Sequence, residues 1–150
     1  MAVTAALWQR SALPGGFARI LREELRSLPQ LADLRSRVRV EATGTPEIRE
    51  PERDHWSERL VLVVDELASN ALRHGHAPID AELSRDGDEW MIAVSDSSGD
   101  HPPMPAQGRD PARGGFGLYL VADLSRRHGW CSSDGAKTVW AVVHATAEPG

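Results

Sequence analysis

The scarce residues of this 150-residue sequence are one cysteine, one lysine and one tyrosine. With Cys131 alone, neither an internal disulfide nor a cysteine-rich zinc site can be built. A single thiol also fits a reducing compartment, and we expect a cytoplasmic protein. Sixteen of the seventeen basic residues are arginine, the exception being Lys137; this bias reads as GC-rich coding. The net charge of −5 offers no basic footprint for nucleic acid. No apolar run approaches the roughly 20 residues of a membrane span. The N-terminus lacks a charged start leading into a long apolar stretch, so no signal peptide is expected. No histidine pair has zinc-ligand spacing. Ser69 has no visible His-Asp partners for a hydrolase triad.

The hydrophobic content of 41% is that of a globular chain with a real core. No repeat interrupts it, and the length predicts one domain over residues 1–150. Residues 5–12 suggest a short edge strand before the Pro14-Gly15-Gly16 break. Phe17, Ile20, Leu21, Leu25 and Leu28 recur at steps of three and four and predict a helix ending before Pro29. Val38, Val40 and Ala42 alternate with charged residues and predict a strand. The strongest helical periodicity runs from Trp56 through Leu60, Val63, Val64, Leu67, Ala71 and Leu72, with Gly75 as its stop. Ile79–Leu83 and Trp90–Val94 alternate around Asp86-Gly87-Asp88 and predict a hairpin. Residues 97–115 are rich in Pro, Gly and Ser and lack periodicity; a loop this long is a functional lid or a disordered segment. A further helix is expected from Leu118, ended by Gly129, and a last strand from Lys137 to Ala145. The fold class is therefore α/β, a two-layer α+β sandwich with helices on one face of a mixed, mostly antiparallel sheet.

Three segments carry chemistry. Glu66 and Asn70 lie one helical turn apart, beside the apolar stripe rather than opposite it. At that rim a carboxylate can act as a base, and an amide oxygen can complete the shell of a hard cation such as Mg²⁺; a solvated helix flank would carry the same residues. Asp96 ends an apolar strand, where a carboxylate can accept from an exocyclic amine, though Asp-Ser-Ser-Gly is also ordinary turn chemistry. Gly114-Gly115-Phe116-Gly117-Leu118 opens a helix. Glycines there allow close backbone approach, and a helix N-terminus favours phosphate. No Walker A lysine follows.

In this order and spacing the segments resemble the GHKL superfamily of ATPases and kinases. Glu66-Leu67-Ala68-Ser69-Asn70-Ala71-Leu72-Arg73-His74-Gly75 is similar to its N-box, and Val94-Ser95-Asp96-Ser97-Ser98-Gly99 to its G1 box. Gly115-Phe116-Gly117-Leu118 looks like the G2 box, and Lys137-Thr138-Val139-Trp140 like the strand that closes the adenine pocket. The resemblance covers residues 14–145 and is strongest to the stand-alone anti-sigma-factor serine/threonine kinases. It implies a Bergerat-type ATP-binding fold with residues 100–113 as lid. By the same analogy Asn70 would hold Mg²⁺ and Glu66 would be the general base. Asp96, supported by Thr138, would bind the adenine amino group. Gly115, Gly117 and Leu118 would line the phosphates, with Arg73 nearby. Ser98 and Asp100 stand where relatives carry glycine, and Lys137 stands where a glycine usually precedes the threonine. The implied cofactors are ATP and Mg²⁺. The implied partners are a STAS-type anti-anti-sigma protein and a sigma factor, with homodimerisation left open. A non-catalytic nucleotide-binding module that sequesters a protein partner is the competing reading.

Overall fold

The stripe from Trp56 to Leu72 becomes the central helix of the molecule. A computed structural model describes residues 8–44, 48, 52–99, 103 and 117–145. Its elements run β1 (Ala18–Leu25), α1 (Gln30–Thr43), α2 (Glu52–His74), β2 (Ile79–Asp86), β3 (Glu89–Asp96), α3 (Gly117–Leu124), β4 (Arg127–Ser133) and β5 (Ala136–His144). The strands form one sheet in the order β1-β2-β3-β5-β4. All four pairings are antiparallel. Among the described residues, the parallel contact is an isolated bridge between Arg10 and Trp130.

Alternation sorts the sheet residues onto two faces. Trp90, Ile92 and Val94 of β3, with Val139, Ala141 and Val143 of β5, face the helices and join the main core with Leu60, Val63, Val64 and Leu67 of α2. The intervening Met91, Ala93, Trp140 and Val142 form a second, smaller cluster on the outer face, with Phe17 packed against it. The β2–β3 hairpin closes where Asp86 pairs with Glu89. Gly87 sits in that turn at φ +62°, a conformation glycine adopts without steric cost.

Two expected elements are exchanged. Phe17–Leu28 does not form a helix; its centre is β1, paired along β2 with a register shift between Arg19 and Leu21. The reason is physical. A bulge adds one residue and breaks the period of two. Beyond it, Leu21, Glu23 and Leu25 share a face, and Glu23 is accommodated between the two leucines by Arg37 of α1, which reaches it at 2.8 Å. A leucine pair four apart, plus the bulge, imitates a helical period. Conversely, the segment of Val38, Val40 and Ala42 is helical. Leu31, Leu34, Val38 and Ala42 are the buried residues of α1, whereas Val40 is 67% exposed.

The third correction concerns Gly129, which does not end a helix. α3 stops at Leu124, and Gly129 lies inside β4, a strand the sequence reading did not anticipate. A Cβ there would stand 2.9 Å from Ser11 Cβ, 3.0 Å from the Trp140 ring and 3.2 Å from the Gln9 carbonyl. Glycine is needed because the N-terminal segment presses on this strand. Ser11 N–H donates to the Trp130 carbonyl at 2.8 Å, and Trp130 N–H donates to Gln9 O at 3.2 Å. So residues 9–11 meet the edge of β4, as an edge strand at residues 5–12 would, through one bridge. The chain then crosses the outer face to Phe17 and β1. Residues 100–102 and 104–113 of the expected lid lie outside the described residues.

The helical placement of α1 separates Leu34 from Val40. Leu34→Ala should cost about 2–5 kcal/mol of unfolding free energy. Val40→Ala should stay within about 0.5 kcal/mol. Urea unfolding of both variants checks this; similar losses would restore the alternating-strand reading of residues 38–42.

Candidate functional site

The last two turns of α2, the end of β3, the start of β5 and the first residue of α3 converge on two adjoining depressions that share Asn70. The larger, about 310 Å³ and open to solvent, lies between α2 and the sheet and is lined by Leu67, Ala71, Gly75, Val94, Asp96, Lys137 and Val139 among others. Its lining combines apolar Leu67, Ala71, Val94 and Val139 with polar Asn70, His74, Lys137 and one carboxylate, Asp96. The smaller, about 180 Å³, is lined by Glu66, Ser69, Asn70, Arg73, Gly117 and Leu118.

Asp96 is 4% exposed. Its Oδ1 accepts the Ser98 N–H at 2.6 Å, while Oδ2 faces the end of α2. A Cβ on Gly75 would lie 2.7 Å from that oxygen and 2.8 Å from the Ala71 carbonyl. The N-box glycine is therefore required by close approach as well as by helix termination. The segment after Asp96 is pinned to the α2–β2 link. Ser97 N–H donates to the His76 carbonyl at 2.8 Å, and the Ser97 hydroxyl donates to the Ala77 carbonyl at 2.7 Å.

Glu66 sits at the mouth of the smaller depression against Gly117, where a Cβ would fall 1.8 Å from Glu66 Oε1. Burial pushes the Glu66 carboxyl above its ordinary pKa, neighbouring Asp65 pushes it further, and Arg73 opposes both. Asp65 is itself engaged by Arg35 at 2.7 Å. The start of α3 is held from the core side, because buried Trp8 donates its indole N–H to the Leu118 carbonyl at 3.2 Å.

The structure thus brings Glu66, Asn70, Arg73 and Gly117 together and sets Asp96 in the adjoining cleft. Gly115 lies outside the described residues. Leu118 is 1% exposed; its side chain is a core residue, and only its backbone belongs to the rim. Thr138 is on the other face of the sheet. Its hydroxyl bonds the Ser95 hydroxyl at 2.8 Å, and both residues alternate away from Asp96. Of the two β5 residues that line the cleft, Lys137 and Val139, the polar one is Lys137, directly paired with Asp96. Sequence reasoning missed it as a site residue. The signal was present in the alternation Lys137, Val139, Ala141, Val143, whose apolar members mark the inner face. Among the described residues no cluster of three His, Cys, Asp or Glu could hold a metal ion.

An antiparallel sheet backed by helices, with a cleft holding one buried carboxylate beside a glycine-led helix start, is a two-layer α/β architecture. The sequence matches the family described as "Histidine kinase-like ATPase domain" over residues 24–143, and the chain belongs to that family. Among solved structures, the Acinetobacter baumannii histidine kinase AdeS aligns at 12% identity with a TM-score of 0.44, covering 86% of this chain and 70% of that one. The comparison with curated proteins gave no match. Among the described residues, no helix is long and apolar enough to cross a membrane.

Two outcomes follow from the packing at Asp96 and Glu66. Gly75→Ala should overpack the α2–β3 contact and cost about 1–3 kcal/mol, read by denaturant unfolding. The raised pKa of Glu66 means that the folded state holds this proton more tightly than the unfolded state. That contribution is fully present below the ordinary carboxylate pKa and is lost as pH rises through the folded value. Glu66→Gln should therefore melt higher than wild type at about pH 8 and match it at about pH 4. A gain of equal size at both pH values would detach the effect from ionisation.

Proposed function

We propose that this protein binds ATP with Mg²⁺ and transfers the γ-phosphoryl group to a serine or threonine of a protein partner. The expected partner is a STAS-type anti-anti-sigma protein, with a sigma factor as captive. The observation that carries the reading is the half-buried Glu66 carboxylate, one turn before Asn70 and in contact with the first residue of α3. The larger cleft, with Leu67, Ala71, Val94 and Val139 as apolar lining and the Asp96 carboxylate among them, suits a flat base bearing an amino group. Glycine at the start of α3, with Arg73 alongside, suits phosphate.

The residues present fit a hard cation held mainly by phosphate and water. Asn70 would supply an amide oxygen from the boundary of the two depressions, and Mg²⁺ characteristically needs few protein ligands. When bound, the ion would neutralise phosphate charge. Glu66, desolvated and less acidic than an exposed carboxylate, would accept the proton of the attacking hydroxyl. Arg73 would offset negative charge beside it. The competing reading is a nucleotide-binding module that sequesters a protein without transferring phosphate. Ser98, in place of the usual glycine after Asp96, favours it.

Glu66→Gln keeps size and packing while removing basicity. It should retain ATP affinity within a few-fold and lose partner phosphorylation by about 10²- to 10⁴-fold. Asn70→Ala should weaken the Mg²⁺-dependent part of ATP binding and leave the metal-free part. Calorimetry with and without Mg²⁺, beside radiolabel transfer to the STAS protein, reads both. Undiminished transfer by Glu66→Gln would remove the base. Absence of transfer by wild type at saturating ATP would favour the sequestering module.

A further inference from the structure

Lys137 is the chain's one lysine, and it lines the base cleft rather than the depression of Glu66, Arg73 and Gly117. It is directly opposite Asp96 in the β3–β5 ladder, flanked by the Ser95–Thr138 and Val94–Val139 pairs. Val94 and Val139 are core residues on the inner face. Asp96 and Lys137 therefore project to that same face. Directly opposed residues hold their Cβ atoms about 4.5–5.5 Å apart, which brings an acceptor and a donor side by side at the floor and mouth of one cleft.

The two groups differ in freedom. The Asp96 carboxylate is buried, tied by Ser98 N–H on one oxygen and wedged against Gly75 by the other. Lys137 is half-buried. An ammonium on a flexible four-carbon stem is a movable point donor with three N–H bonds and no acceptor. A fixed acceptor beside an adaptable donor is the complement of an amino group next to a ring nitrogen, which is the edge adenine presents. With N1 as that ring nitrogen, a guanine in the same pose would set its O6 against the carboxylate and its N1–H against the ammonium, two mismatches rather than one.

Resting on the proposed adenine-nucleotide reading, we propose that Lys137 is a base-reading residue that donates a hydrogen bond to the adenine ring nitrogen flanking the amino group held by Asp96. The Lys137–Asp96 pair, rather than Asp96 alone, then sets nucleotide specificity.

Titration of ATP, 1-deaza-ATP, 7-deaza-ATP and GTP into wild type, Lys137→Met and Asp96→Asn tests this. Each deaza analogue deletes one of the two candidate ring acceptors. Wild type should bind one analogue about tenfold more weakly than ATP, the scale of a hydrogen bond to a charged donor. Lys137→Met should bind ATP about tenfold more weakly and no longer distinguish that analogue. Where 1-deaza-ATP is the weakened analogue, the variant's ATP-to-GTP ratio should narrow as well. Asp96→Asn should weaken ATP while keeping the penalty for the deaza analogue. Because the readout is a ratio within one preparation, partial unfolding of a variant does not imitate it. An unchanged ratio in Lys137→Met would overturn the inference, whether affinity held or fell equally for every nucleotide, the latter assigning the lysine to phosphate charge. Wild type that binds ATP and both analogues alike would also overturn it. Wild type that binds none of the four would bring down the functional reading itself, and this inference with it.

Discussion

The site depends on how closely the end of α2 approaches the end of β3. Gly75 has no room for a Cβ because Asp96 Oδ2 and the Ala71 carbonyl occupy that space. This one contact fixes the separation between the helical wall and the sheet wall of the cleft. It also excludes water from one side of a carboxylate that is 4% exposed, so Asp96 has few geometries open to it. The hydrogen bonds of Ser97 to the link after α2 hold the approach from outside. A buried carboxylate is costly unless its oxygens are engaged; Ser98 N–H engages one of them here.

Glu66 belongs to the same helix and feels a different environment. Asp96 lies at the floor of a cleft and is held by backbone; Glu66 lies at a rim and is held by contact with Gly117. One helix thus carries, over the same two turns, a wall of the larger cleft and a desolvated carboxylate at the smaller depression. The rigidity of α2, whose stripe from Trp56 to Ala71 is buried against the sheet, keeps the two depressions in fixed relation. The family assignment over residues 24–143 spans both.

Much of this is legible in the sequence. α2 and the β2–β3 hairpin were readable because their apolar periods are long and uninterrupted, and because Gly75 and Asp86-Gly87-Asp88 punctuate them. β1 and α1 were exchanged because each shows a short, mixed period. The bulge at Arg19–Leu21 and the charge of Glu23 broke the strand alternation, while Val40 supplied a false one. The decisive information was the Glu23–Arg37 ion pair between the two elements, which no single segment displays. Of the site, Glu66, Asn70, Arg73, Asp96 and Gly117 line the two adjoining depressions. Lys137 and Thr138 could be told apart only once the inner face of β5 was fixed by its register with β3. Within the box pattern the threonine draws the eye, yet alternation turns it to the far side with Ser95.

The N-terminal segment makes the two borders of the sheet unequal. Residues 9–11 lie along β4 and take up part of its outer hydrogen-bonding groups, whereas among the described residues β1 pairs on one side only. A border occupied at its middle by another stretch of chain is a poorer template for strand addition than one whose described residues pair on one side only. The short passage through Ser11 thus blunts one margin of the sheet against edge-to-edge growth.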